Sequence, residues 1–154
     1  MTRRLHGILL AVLTLLALAA PAAVEAQGNL VLPGLSGGQL READLAQGAT
    51  IIVVFATWSP RGQDIDVRVN QVANRWGSSA RVVAVDFQED RATVQEFLSG
   101  RNLSVPVYLD ADGAFAKKYA VTNLPGLVVF KDGRAAYRGR LPDNPDSVLA
   151  EIFQ

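Results

Sequence analysis

Thr50-Ile51-Ile52-Val53-Val54-Phe55 is an unbroken run of β-branched and aromatic side chains. A strand with one wet face alternates apolar and polar residues. A run with no polar break belongs to a strand buried on both faces, and such a strand needs helices to cover it. The next segment supplies one. Ile65, Val69, Val72, Ala73 and Trp76 recur at helical spacing, while Asp64, Arg68, Gln71 and Arg75 fall off that stripe and face water. Ser59 and Pro60 offer a cap and a first helical residue, and Gly77 marks the stop.

The same pattern repeats downstream. Arg81 to Phe87 reads as a second buried strand, followed by an Asp90-capped helix with Val94, Phe97 and Leu98 on its apolar face. A third short strand is expected from Val105 to Leu109, closed by the Asp110–Gly113 turn, and then a short helix from Phe115 to Tyr119. Leu127–Phe130 and Ala135–Tyr137 pair as a hairpin through Asp132-Gly133. Asn144 and Pro145 open a last helix that buries Val148, Leu149, Ile152 and Phe153. Ahead of all this, residues 27–38 read as a glycine-rich lead-in loop with at most a short strand. Leu40 to Leu45 reads as a turn or short helix. The order β-α-β-α-β-α-β-β-α defines one α/β domain, a mostly parallel sheet ending in an antiparallel hairpin.

The N-terminus has a different character. Arg3 and Arg4 precede an apolar and small-residue run from Ile8 to Ala20, Pro21 breaks it, and Val24-Glu25-Ala26 presents small residues to a signal peptidase. This is the three-part pattern of a secretory signal over residues 1–26, with residues 27–154 as the mature domain in an exported, periplasmic or extracytoplasmic setting. The run is shorter than the roughly 20 residues that span a bilayer. A membrane association is therefore expected only if the signal stays uncleaved. The paired arginines form an incomplete twin-arginine motif.

Composition then narrows the chemistry. The signal takes two of the 15 basic and one of the 15 acidic residues, leaving 13 against 14, with no basic stripe for nucleic acid. There is no cysteine, and the single histidine, His6, lies in the signal. Cysteine nucleophiles, histidine-based triads and thiolate or imidazole metal sites are therefore absent from the mature chain. No metal, no cofactor and no catalytic residue is expected. Asp110 and Asp112 imitate the opening of a calcium loop, but the glycine follows at once and no distal glutamate completes it, so they read as a turn. Asp86, Glu89 and Asp90 sit at a strand end and a helix start, where acids are ordinary.

Three stretches, taken together, resemble the thioredoxin superfamily in its exported TlpA/ResA-like branch. Val53-Val54-Phe55-Ala56-Thr57-Trp58-Ser59-Pro60-Arg61-Gly62 is similar to that branch's strand leading into W-C-x-x-C. Val85 to Leu98 resembles its second strand and helix. Tyr119 to Gly133, with Leu124-Pro125-Gly126 at its centre, resembles its cis-proline loop and hairpin. The resemblance implies a thioredoxin-like fold: a central mixed β-sheet flanked by helices, with Pro125 cis and the backbone of Leu124 positioned to hydrogen-bond an extended segment.

The departures from that pattern bear on activity. Ser59 stands where the family has its attacking cysteine and Gly62 where it has the resolving one. A hydroxyl cannot form or leave a mixed disulfide, and glycine has no side chain, so thiol–disulfide exchange does not carry over. A groove built from Trp58, Ser59, Pro60, Arg61, Gly62, Leu124 and Pro125 does carry over. The leading expectation is a redox-inactive module that binds a protein or peptide of the cell envelope there. One alternative is a protein or enzyme that holds a small, glutathione-like thiol non-covalently at Ser59, with the hydroxyl and a helix N-terminus as the cradle. Plain N-capping by Ser59 competes with that reading. Another is a structural part of an envelope complex, related to thiol–disulfide oxidoreductases by homology alone.

Overall fold

The computed structural model describes residues 29–154; the expected signal, residues 1–26, and His6 lie outside the described residues. In chain order the elements are β1 (Val31–Pro33), β2 (Gln39–Arg41), a 3₁₀ turn at Glu42–Leu45, and β3 (Ala49–Phe55). A second 3₁₀ turn at Pro60–Gly62 precedes α1 (Ile65–Trp76), β4 (Arg81–Phe87), α2 (Arg91–Leu98) and β5 (Val107–Asp110). Then come α3 (Ala114–Lys118), β6 (Gly126–Lys131), β7 (Arg134–Arg140) and α4 (Asp146–Phe153).

Five strands form one sheet in the order β5-β4-β3-β6-β7. β3 runs parallel to β4, and β4 to β5, while β6 is antiparallel to β3 and β7 to β6. The Thr50–Phe55 run is the central strand, and every side chain in it is buried. Alternation along β3 divides the core. Ile51, Val53 and Phe55 pack with the α1 stripe of Ile65, Val69, Val72 and Trp76, and with Val94 and Leu149 from α2 and α4. Ile52 and Val54 face the other way, onto Phe115 of α3, Tyr119 just after it, Phe130, and Leu32, Leu40 and Leu45 from the N-terminal segment. Both faces are covered, as the unbroken run requires.

Local chemistry sets the boundaries. The Asp90 carboxylate accepts from Thr93 N at 2.9 Å and caps α2, which holds it below the usual carboxylate range. Asp132 and Gly133 take φ of 51° and 79°, the left-handed pair that a two-residue hairpin needs.

Three expectations change. β5 starts at Val107 rather than Val105, because Pro106 has no N–H to give the ladder; its carbonyl still accepts from Ala84 N. The lead-in segment is more than a loop: β1 and β2 pair antiparallel, and Gly34 bridges to Tyr108 of β5. The 3₁₀ turn after β2 is anchored by Glu42, which is buried against Lys118 Nζ at 2.5 Å and accepts from the Tyr119 hydroxyl. Burial pushes the Glu42 carboxyl up, but the Lys118 and Tyr119 hydrogen bonds outweigh it and leave it below its ordinary value. The third change concerns the start of α1 and belongs to the site.

Candidate functional site

The register places the site. Phe55 pairs with Asp86 and Val54 with Gly126, so the carboxyl ends of β3 and β4 meet the start of β6 at one end of the sheet. The Ala56–Gly62 turn leaves β3 there and faces the loop that ends at Leu124-Pro125, whose peptide bond is cis. Open α/β sheets take ligands outside the carboxyl ends of their strands.

The turn is braced from several sides. Glu89 accepts from Thr57 N at 2.7 Å and from Thr57 Oγ1 at 2.5 Å. Gln63 Nε2 donates to the carbonyls of Thr57 and Ser59 at 3.0 and 3.1 Å. Arg101, in the loop after α2, ties Gln63 O to Asp66. Gln88, with φ of 58°, turns the chain between Asp86 and Glu89. A turn held this way presents its side chains in fixed positions, which lowers the ordering cost of binding.

Ser59 does not cap the helix. Pro60–Gly62 forms only a 3₁₀ turn, and α1 begins at Ile65 after Asp64 leaves helical geometry. The Ser59 side chain is buried, makes no cap bond, and donates its hydroxyl to Leu124 O at 3.3 Å. This corrects both the expected N-cap and the expected helix start at Pro60. The hydroxyl joins turn to loop instead, and the first turn of α1 lies beyond it.

Of the seven residues expected in one groove, Trp58, Ser59 and Leu124 line a common cavity, while Pro60 and Arg61 line a different one. Trp58 is exposed at 62 %, unlike Trp76, the chain's other tryptophan, which is buried on α1. Trp58 and Ser59, with Phe87, Val121, Thr122 and Leu124, line a cavity of about 280 Å³ with mostly apolar walls. Leu124 is half-buried and Pro125 buried behind it. Arg61 and Pro60 point the other way, into a larger open cavity shared with Arg68 and Arg140. Gly62 is packed beneath the turn: a Cβ there would lie 3.1 Å from Ala56 O and 3.6 Å from Ser59 Cβ. The last distance falls in the range of about 3.5–4.5 Å that joins the two halves of a disulfide. The turn thus keeps a disulfide's Cβ spacing without its sulfurs.

One residue under the site has a role that sequence reading missed. Asp86, taken as an ordinary strand-end acid, is completely buried, and neither of its carboxylate oxygens has a hydrogen-bond partner. Burial first, and the Glu89 carboxylate next, push its pKa up to about 8, with Asp110 adding to the effect. At neutral pH it is mostly protonated. The available signal was its position, since it interrupts the apolar strand Val82–Phe87. Asp110 is also buried and pushed up by burial, but it accepts from Phe115 N and Ala116 N and so caps α3.

The mixed five-stranded sheet, the turn at the end of β3 and the facing cis-proline loop define a thioredoxin-like domain. Comparison with known proteins agrees. The chain matches the AhpC/TSA family over residues 23–139 and belongs to that family. It is 27 % identical over 98 residues to the thiol-disulfide oxidoreductase ResA of Bacillus subtilis (strain 168), a match covering 63 % of this chain and 55 % of that protein. The chain therefore spans about half the length of that relative. Among solved structures it resembles a secreted Mycobacterium tuberculosis disulfide oxidoreductase homologous to E. coli DsbE. There the TM-score is 0.66 and the identity 21 %, over 80 % of this chain and 94 % of that one. It also resembles the pneumococcal exposed lipoprotein thioredoxin Etrx1 of Streptococcus pneumoniae strain TIGR4. In that case the TM-score is 0.70 and the identity 17 %, over 81 % and 98 % of the two chains. The expected likeness to ResA-like proteins and the expected fold class are both borne out.

Proposed function

We propose that this is an exported, redox-inactive member of its family that binds a segment of another envelope protein in the groove between Trp58 and the Leu124–Pro125 loop. The observation that carries the reading is the exposure of Trp58 beside an apolar cavity whose floor has no thiol. Large aromatic side chains left in water next to a pocket are typical anchors of recognition. The Leu124 N–H has no protein partner among the described residues, so an extended segment laid in the groove finds a backbone donor there. Export is supported by the leader pattern of residues 1–26 and by the secreted or exposed character of similar proteins.

The small-thiol reading has weaker support. The Ser59 hydroxyl already donates to Leu124 O, and α1 begins six residues later, so no helix N-terminus backs it. The test is crosslinking capture from the cell envelope with the parent protein and a Trp58→Ala variant, after circular dichroism confirms equal folding. With its ring mostly in water, loss of Trp58 costs under about 1 kcal/mol of stability. A partner captured by the parent and lost by the variant supports the groove. Equal capture by both removes it and moves the function to another face.

A further inference from the structure

Beside the apolar groove lies a second cavity of about 740 Å³, opening over the start of α1 on the far side of the Ser59–Pro60 peptide. Its wall carries Arg61, from the 3₁₀ turn, and Arg140, from the end of β7. The fold brings these two together from distant parts of the chain. Arg140 pairs with Gly126, the residue after the cis-proline, and Leu141 N donates to Pro125 O, so the end of β7 is stitched to the groove's own loop. Arg61 is two residues from Ser59. The cavity these two arginines line therefore adjoins the groove, through the Ser59–Pro60 peptide on one side and the Pro125–Gly126 loop on the other.

These cations are available. Both residues are exposed, and neither makes an ion pair or a side-chain hydrogen bond among the described residues. Arg68, in the same cavity, is already used: it donates to Leu141 O and Pro142 O and lies 4.0 Å from Asp143. Of the acids on this wall, Asp143 is thus opposed by Arg68, and Asp64 alone faces the two free arginines. The local balance is positive in a domain whose overall charge is close to neutral.

We infer that the groove's partner is an extended, acid-flanked segment: an apolar side chain fills the Trp58–Leu124 cavity and a neighbouring Asp or Glu reaches Arg61 and Arg140. This deepens the proposed function and rests on the groove reading. An exposed arginine–carboxylate pair strengthens binding by up to roughly fivefold. Two together favour an acid-flanked segment over a neutral one by roughly tenfold in affinity, mostly lost in high salt. Arginine suits the task because its planar fork engages a carboxylate through two hydrogen bonds.

The experiment titrates the purified protein with three synthetic peptides that share an apolar centre and differ in flanks: Glu/Asp, Ser/Asn or Lys. Trp58 emission and calorimetry read the binding. The expected order is acidic, then neutral, then basic, with the spread collapsing in high salt. In the double variant Arg61→Glu/Arg140→Glu the order inverts, and the single charge-neutral variants Arg61→Gln and Arg140→Gln each lose part of the preference. Equal affinity for all three peptides overturns the acidic subsite and leaves the apolar groove standing. Failure of every peptide to bind, with Trp58 emission unmoved, overturns the groove reading and this inference with it.

Discussion

The buried acid beneath the turn makes the stability of this protein depend on pH in an unusual direction. Asp86 is raised to about 8 in the folded chain, against roughly 3.9 when unfolded. Between those values the folded protein binds about one more proton than the unfolded one, so stability is full below the lower value and lost as pH rises toward the upper. From pH 5.5 to pH 7.5 the loss is about 2.5 kcal/mol, at ~1.36 kcal/mol per unit with a small reduction as titration begins. That is a sizeable share of a typical 5–15 kcal/mol stability, equivalent to roughly 10 °C in Tm. The chain's single histidine, His6, lies outside the described residues, and ordinary carboxylates have finished titrating below this window. Asp110, which burial also raises, acts in the same direction in parent and variant alike, so the difference between their curves isolates Asp86. Glu42 and Asp90, both lowered, act in the opposite sense at more acidic pH. Asp86→Asn replaces the carboxyl with a near-isosteric group that never ionises. The assay is urea or thermal unfolding of parent and variant across this range. The parent should lose stability toward pH 7.5 by about 2.5 kcal/mol more than the variant, which becomes the more stable of the two. Parallel curves across the window would refute the assignment of a neutral, buried Asp86.

Two further outcomes follow from the turn itself. In a Ser59→Cys/Gly62→Cys variant the 3.6 Å Cβ separation places the new thiols for bonding, and mild oxidation should remove both. The four-residue loop adds about 2 kcal/mol on the chain-entropy account, less whatever the 3.1 Å contact with Ala56 O costs. Mass spectrometry and melting before and after oxidation check it, and persistently free thiols would show that the turn is not held as described. Glu89→Gln keeps the shape but removes the charge that holds Thr57 N and Oγ1. It should cost about 1–2 kcal/mol and move the pH midpoint of Asp86 downward, since the Glu89 carboxylate is the second cause of its shift.

Much of the fold was legible in one dimension because its elements are long enough to show their period. The α1 stripe from Ile65 to Trp76, the run Thr50–Phe55 and the Asp132-Gly133 turn each specify their structure locally. β1 and β2 did not, since each has three residues and buries only the middle one, too little for any pattern. The candidate site was legible in part as a set of positions: Trp58, Ser59 and Leu124 were anticipated together and line one cavity, whereas Pro60 and Arg61, anticipated with them, line another. Their bonding was not. A serine before a proline reads as a cap, and only the approach of Leu124 O, 65 residues away in the chain, takes its hydroxyl elsewhere.

What the chain established without coordinates was its chemistry: no thiol, no imidazole after His6, a strand that must be covered on both faces, and a serine and a glycine where its relatives' pattern has cysteines. Those are properties of residue type and period, which survive in a string of letters. The ionisation of Asp86, the company of Arg61 and Arg140, and the capture of the Ser59 hydroxyl by Leu124 O are properties of distance between remote segments. Burial and Coulomb interactions depend on what packs around a group in space, and that is settled only when the sheet has brought β3, β4, β6 and β7 side by side.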